Sequence, residues 1–201
     1  SNFGNSGKAD TASSRVVFDC RFSLADPAAG RALYRAGHIP GAHYLDLNED
    51  MAGPVTEHGG RHPLPELQGF AALLARHGVG PETEVAAYDD ARFAFAARLW
   101  WLMRSIGYRP PRLLNGGYQA YLAAGGVPQE TVPSPGAIAL SSVASFSGYC
   151  DIAGLRELQA EGAVLVDSRE ERRYQGIEEP IDPVAGHIPG ALNRLWQGVT
   201  S

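Results

Sequence analysis

Cysteine is scarce here. Cys20 and Cys150 are the only two in 201 residues, and neither sits in a CxxC pair or beside a second soft ligand. That usage excludes a disulfide framework, gives no zinc or dithiol signature, and predicts a reducing, cytoplasmic setting. Long apolar runs are missing as well, and no stretch approaches the roughly 20 residues of a membrane-spanning helix. Positive charge is not in excess. Seventeen Lys and Arg stand against 22 Asp and Glu, a net charge of −5. Such a balance offers no field for nucleic acid or an anionic membrane surface, although Arg169, Arg172 and Arg173 predict one local basic patch. The opening SNFGNSGKADTASS lacks the apolar centre of a signal peptide, so residues 1–14 are expected to form a flexible tail.

What remains is the composition of a globular protein, 44% apolar and 19% charged, organised by a repeat. VVFDCRFS at 16–23 leads to YRAGHIPGAHYLDL at 34–47, and VLVDSREE at 164–171 leads to VAGHIPGALNRL at 184–195. Asp19 and Asp167 are 148 positions apart, and His38 and His187 are 149 apart. Two anchors agreeing on one period indicate a duplicated unit. In each copy a short β-rich run (Val16–Phe18, Val164–Val166) ends in aspartate, as a buried parallel strand does at its carboxyl edge. His-Ile-Pro-Gly-Ala then turns the chain towards a second strand.

Between the copies the first unit completes itself. Leu67–His77 has helical periodicity and stops at Gly78, and Val85–Tyr88 reads as a strand. Phe93–Ile106 is a strongly apolar helix. Leu113-Leu114 is a strand, and Asn115-Gly116-Gly117 turns into a helix over Tyr118–Ala123. Alternating strands and helices predict an α/β domain with a parallel sheet flanked by helices. The expected organisation is a first domain over 15–126, a Pro/Ser/Gly-rich linker over 127–149, and the N-terminal part of a second copy over 150–201 opened by a helix at Ile152–Ala160. By the repeat offset the counterpart of Asp89 falls beyond Ser201. The second copy is therefore expected to be incomplete.

The paired D-[CS]-R…GHIPGA units, the ARLWWLMR helix and LLNGGYQAYLAAGGVP resemble the rhodanese superfamily, in particular its two-domain thiosulfate and 3-mercaptopyruvate sulfurtransferases. The resemblance runs from Val16 to Gln197. It implies two rhodanese-like domains and an intact protein that moves a sulfane sulfur from a small anionic donor to cyanide, a thiol or a dithiol protein. The sulfur would travel on a cysteine persulfide, with no metal or organic cofactor. The cysteine belongs to a strand-to-helix loop of the second domain, where backbone N–H groups favour a thiolate. In the first domain Asp89 holds that position and cannot carry sulfur, so the 201 residues alone are expected to be inactive. The resemblance also makes Arg173 the arginine that holds the donor's anionic group, and a guanidinium suits that task. It places His62 near the active site. A companion aspartate aligns with Asn48, with Asp46 close by, and a second donor-binding arginine aligns with Ile181. Both departures favour thiosulfate over mercaptopyruvate. The rival from another class is a non-catalytic rhodanese-like binding or regulatory protein.

Other residues read as structural. Cys20 is expected in the core, and Cys150, at the linker's end, to be incidental. His38 and His187 recur with the fold unit and are expected to make structural hydrogen bonds. Trp100 and Trp101, consecutive on a helix, point in different directions into core or interface. Arg98 is expected to pair with a carboxylate or a helix end. Asp89 is expected to accept bonds from its own loop, and Glu178 and Glu179 to be surface charge.

Overall fold

The computed structural model describes residues 15–57 and 59–199; the tail expected over 1–14 lies outside them. The chain divides into two compact units, the first ending at Ser147 and the second starting at Gly148.

In the first unit, β1 (Val16–Asp19) is followed by α1 (Pro27–Ala36) and β2 (Ala42–Tyr44), then α2 (Leu67–Arg76), β3 (Val85–Tyr88), α3 (Ala96–Ser105), β4 (Arg112–Leu113) and α4 (Gly117–Ala123). The four strands form one parallel sheet in the order β2-β1-β3-β4. Because strand side chains alternate between faces, β1 and β3 feed two separate clusters. Phe18, Val85 and Ala87 join Phe70 and Leu74 of α2 and Leu99, Leu102 and Met103 of α3. Val17 and Tyr88 join Ala42 and Tyr118 in the other. Apolar side chains on both faces are what a parallel sheet requires.

The helices start where the sequence supplies acceptors. Asp26 caps α1 through Ala28 N, with Pro27 at the first helical position, and Glu66 caps α2 through Gln68 N and Gly69 N. The apolar run expected to be helical from Phe93 begins its helix only at Ala96. Arg92 and Phe93 are left-handed, with φ of 54° and 68°, because the preceding loop is wound around Asp89. The strand expected at Leu113-Leu114 is Arg112–Leu113.

The stretch expected as a linker has contacts its composition does not reveal. Residues 127–147 run across the first unit. His38 and Gln129 exchange backbone bonds of 2.9 Å, Ile138 N donates to Ala75 O, and Ser147 N donates to Ser105 O. Val143 is buried, and Phe146 packs on the main core.

In the second unit, α5 (Ile152–Ala160) is capped by Asp151, β5 (Val166–Asp167) pairs in parallel with β6 (Leu192–Asn193), and α6 spans Glu171–Tyr174. The strand expected from Val164 starts at Val166. The register repeats that of the first unit: Asp19 faces Tyr44, and Asp167 faces Asn193. So do the side-chain contacts. Arg21 clamps the Asp19 carboxylate (2.6 Å at the shortest) and donates to Gly37 O, and Arg169 clamps Asp167 (2.6 Å) and donates to Gly186 O. His38 Nδ1 meets Tyr34 O at 2.9 Å with the rings stacked, and His187 Nδ1 meets Tyr174 O at 2.7 Å in the same way. Tyr34 and Tyr174 each donate their hydroxyl to an alanine carbonyl, Ala42 O and Ala191 O. The histidines are thus structural, holding the GHIPGA turn to the preceding helix. The two settings differ. The first clamp is sealed, with Tyr88 and Tyr118 against Arg21, whereas Val166, Ile188 and Leu192 around the second are half exposed. Among the described residues no helix is long and apolar enough to cross a membrane.

Candidate active site

The carboxyl end of β3 carries the most organised polar group of the first unit. Asp89 follows Tyr88 directly and is 1% exposed. Its Oδ1 accepts from Ala91 N (2.9 Å) and Phe93 N (3.0 Å), and its Oδ2 from Phe95 N and Ala96 N (both 2.9 Å). Four backbone donors, the last at the start of α3, converge on one anion as in a phosphate-binding nest. The left-handed residues 92 and 93 bend the loop around the carboxylate. Gly117 completes the fit: it has φ +58°, and a Cβ there would lie 2.0 Å from Asp89 O. The loop is thus built for an anion, and the side chain of Asp89 supplies it.

His62 is partly buried, with Nε2 3.1 Å from Asn48 Oδ1. Burial, then Arg98 and Arg61, pull its pKa below the usual histidine value. The histidine and the residue aligned with its companion aspartate are therefore in contact. Asp46 is committed elsewhere, accepting from Asn48 N and Glu49 N. Asn48, Asp46, Arg31 and Glu49 line a cavity of about 490 Å³ beside α1. Arg98 anchors the loop that bears His62, but not as expected. Among the described residues it meets no carboxylate or helix end; it donates to the carbonyls of Met51, His62 and Pro63 at 2.8–3.1 Å. Five guanidinium donors let one side chain serve several loop carbonyls, a partner set that local sequence does not reveal.

In the second unit Arg173 is not an open cation. Its Nε and Nη2 grip Glu179 (Oε1 at 2.8 Å from Nη2), and Nη2 also donates to Asp182 Oδ2 at 2.6 Å. Glu179, expected as surface charge, is enclosed, its side chain 5% exposed. It accepts from Arg173, from Arg169 Nη1 at 3.3 Å, and from the amides of Ile181 and Asp182. Arg173 first, then the amides of Asp182 and Ile181, bring its pKa down to about 2. Glu178 does lie at the surface, paired with Arg172 at 2.6 Å. The expected basic patch is therefore neutralised, because each of Arg169, Arg172 and Arg173 has an acidic partner. Sequence reasoning missed Glu179 and Asp182. The available signal was a pair of acids three apart around a proline, a few residues after two arginines, which suits a side-chain-capped turn.

Neither cysteine is placed to carry sulfur. Cys20 is fully buried, and burial, reinforced by Asp19, Asp89 and Asp50, holds it as a thiol. Cys150 is exposed, and the capping position next to it belongs to Asp151.

A family model described as "Rhodanese-like domain" matches residues 5–124. A probable 3-mercaptopyruvate sulfurtransferase of Pseudomonas aeruginosa is 44% identical over 181 residues, covering 88% of this chain and 63% of that protein. A thiosulfate sulfurtransferase of Bos taurus is 31% identical, covering 88% and 61%. Among solved structures, 3-mercaptopyruvate sulfurtransferase from Leishmania major superposes with a TM-score of 0.78 at 28% identity, over 94% of this chain and 52% of that one. The chain thus spans rather under two thirds of the relatives it matches. With a family model over more than half its length, on the parallel sheet and loop just described, the chain belongs to the rhodanese family.

Proposed function

We propose that the protein is a sulfurtransferase of the thiosulfate or 3-mercaptopyruvate type, built from two copies of one rhodanese unit. The observation that carries this reading is the nest at the end of β3. Four N–H groups meet at one point of a strand-to-helix loop, and the same loop holding a cysteine would stabilise a thiolate and its persulfide. In the first unit Asp89 fills the nest, and a carboxylate cannot accept sulfur. The reactive cysteine belongs to the corresponding loop of the second unit, outside these 201 residues. Its thiolate attacks the outer sulfur of thiosulfate, the S–S bond breaks, and sulfite leaves with the electron pair. Cyanide or a thiolate then attacks the terminal persulfide sulfur and returns the enzyme thiolate, so ping-pong kinetics follow. Scarce cysteine and the relatives' activities support a cytoplasmic, reducing setting and thiol, cyanide or dithiol-protein acceptors.

Arg173 is the donor-binding residue in this reading, with His62 a second substrate-side group. The test is the whole protein expressed from its own gene, offered thiosulfate and 3-mercaptopyruvate with cyanide as acceptor. A gain of about 32 Da in intact mass, one sulfur, and thiocyanate release are expected. No mass gain with either donor leaves the non-catalytic binding protein as the reading. Arg173→Ala should raise the donor KM, and an unchanged KM removes that role.

A further inference from the structure

Arg173 stands in a set of five charges whose balance is not positive. Arg169 and Arg173 face Asp167, Glu179 and Asp182, two guanidinium groups against three carboxylates. The three acids are not equivalent. Asp167 is clamped by Arg169 at the end of β5 and repeats the structural clamp of the first unit. Glu179 is enclosed and takes bonds from two arginines and two amides. Asp182 is the exposed one, its side chain 38% accessible. It accepts from Arg173 Nη2 at 2.6 Å. An incoming anion that approaches Arg173 meets that negative charge beside it.

We propose, resting on the donor-binding reading of Arg173, that Asp182 is a specificity-determining residue: a counter-ion beside the guanidinium whose charge discriminates against dianions in favour of monoanions. Repulsion by a fixed negative charge scales with the charge of the incoming group. Thiosulfate carries two negative charges, and the carboxylate of 3-mercaptopyruvate carries one. Asp182 therefore biases the site towards the carboxylate donor. This works against the preference for thiosulfate that Ile181 and Asn48 suggest, and it turns donor choice into a property of one surface carboxylate.

The experiment has two arms. In the first, sulfate and pyruvate, non-reacting anions of charge two and one, are titrated into the whole protein while the Arg173 Nε–Hε resonance is followed by NMR. Asp182→Asn should tighten pyruvate roughly threefold and sulfate roughly ninefold, since the logarithm of the effect doubles with the charge. Asp182→Glu should keep the wild-type bias, and added salt should shrink the difference. Asp182→Ser, checked by its melting curve, serves if the asparagine variant is poorly folded. In the second arm the whole protein is assayed with both donors. Asp182→Asn should lower the thiosulfate KM more than the mercaptopyruvate KM. Equal effects on both anions, or none, overturn the proposal. If Arg173→Ala raises both KM values while Asp182→Asn leaves their ratio alone, Asp182 has no such role and the sulfurtransferase reading stands. If no sulfur moves from any donor but sulfate still tightens on Asp182→Asn, the reading fails and Asp182 stands as the anion selector.

Discussion

Replacing Asp89 with asparagine tests the idea that the β3–α3 loop is held together by its own anion. The carboxylate accepts four backbone bonds of 2.9–3.0 Å in a site 1% exposed. Bonds to a charged acceptor contribute about 1.5–3 kcal/mol each, and an orphaned buried donor costs about 1–3 kcal/mol. Asparagine keeps the shape but turns an NH2 group towards two of the four donors. Relaxation of Arg92 and Phe93 out of left-handed conformations that cost on the order of 1–3 kcal/mol each offsets part of the resulting loss. These effects overlap and are not additive. A loss of about 3–5 kcal/mol is expected, the usual result of removing one partner from a buried charged network. That is a large part of an ordinary domain's 5–15 kcal/mol or so. The assay is urea unfolding followed by Trp100 and Trp101 fluorescence in a Trp196→Phe background, so that the first unit reports alone. Hydrogen exchange at Ala91, Phe93, Phe95 and Ala96 supplies the local readout. Asp90, the exposed neighbour, is the control, and Asp90→Asn should stay within about 0.5 kcal/mol of wild type. If Asp89→Asn matches that control and the four amides keep their protection, the nest does not depend on the carboxylate and the reasoning fails.

Arg98→Ala should free the loop between β2 and α2, because it removes the donors to Met51, His62 and Pro63 carbonyls. Cleavage in that loop by limited proteolysis should speed up, and Arg98→Lys, which cannot span three acceptors, should not restore it. Acid should weaken the first unit through His77, whose pKa is lowered from 6.5 to about 4 by burial, then by His43 and Arg76. A histidine depressed in the folded state takes its proton first in the unfolded state. Its contribution is intact above pH 6.5, falls as pH drops, and levels off below about 4. His77→Gln should flatten the urea midpoint between those limits, and an unaltered slope would assign the acid sensitivity to other groups.

Much of the molecule was legible in the chain. Strand β3 and helix α5 were readable to the residue, because a short apolar run and a capped amphipathic segment are set by neighbours in sequence. The repeat of Asp, His and GHIPGA identified residues that turn out to make the same bonds twice. The loop role of Asp89 followed from the family resemblance, which puts it in the strand-to-helix loop. The start of α3 did not follow, since Phe93 belongs to an apolar helical pattern and only the tertiary pull of Asp89 unwinds it. The packing of residues 127–147 was likewise hidden. Proline, serine and glycine mark an irregular path, but the acceptors that fix it, Ala75 O and Ser105 O, lie far away in sequence. Partner choice is the common limit. Sequence alone determined the family, the strand-helix alternation and which side chains carry charge. Tertiary structure decided which charges meet, joining Arg98 to carbonyls, Asp89 to four amides and Arg173 to Glu179 and Asp182, because an ion's partner depends on distances that chain folding sets and local pattern does not.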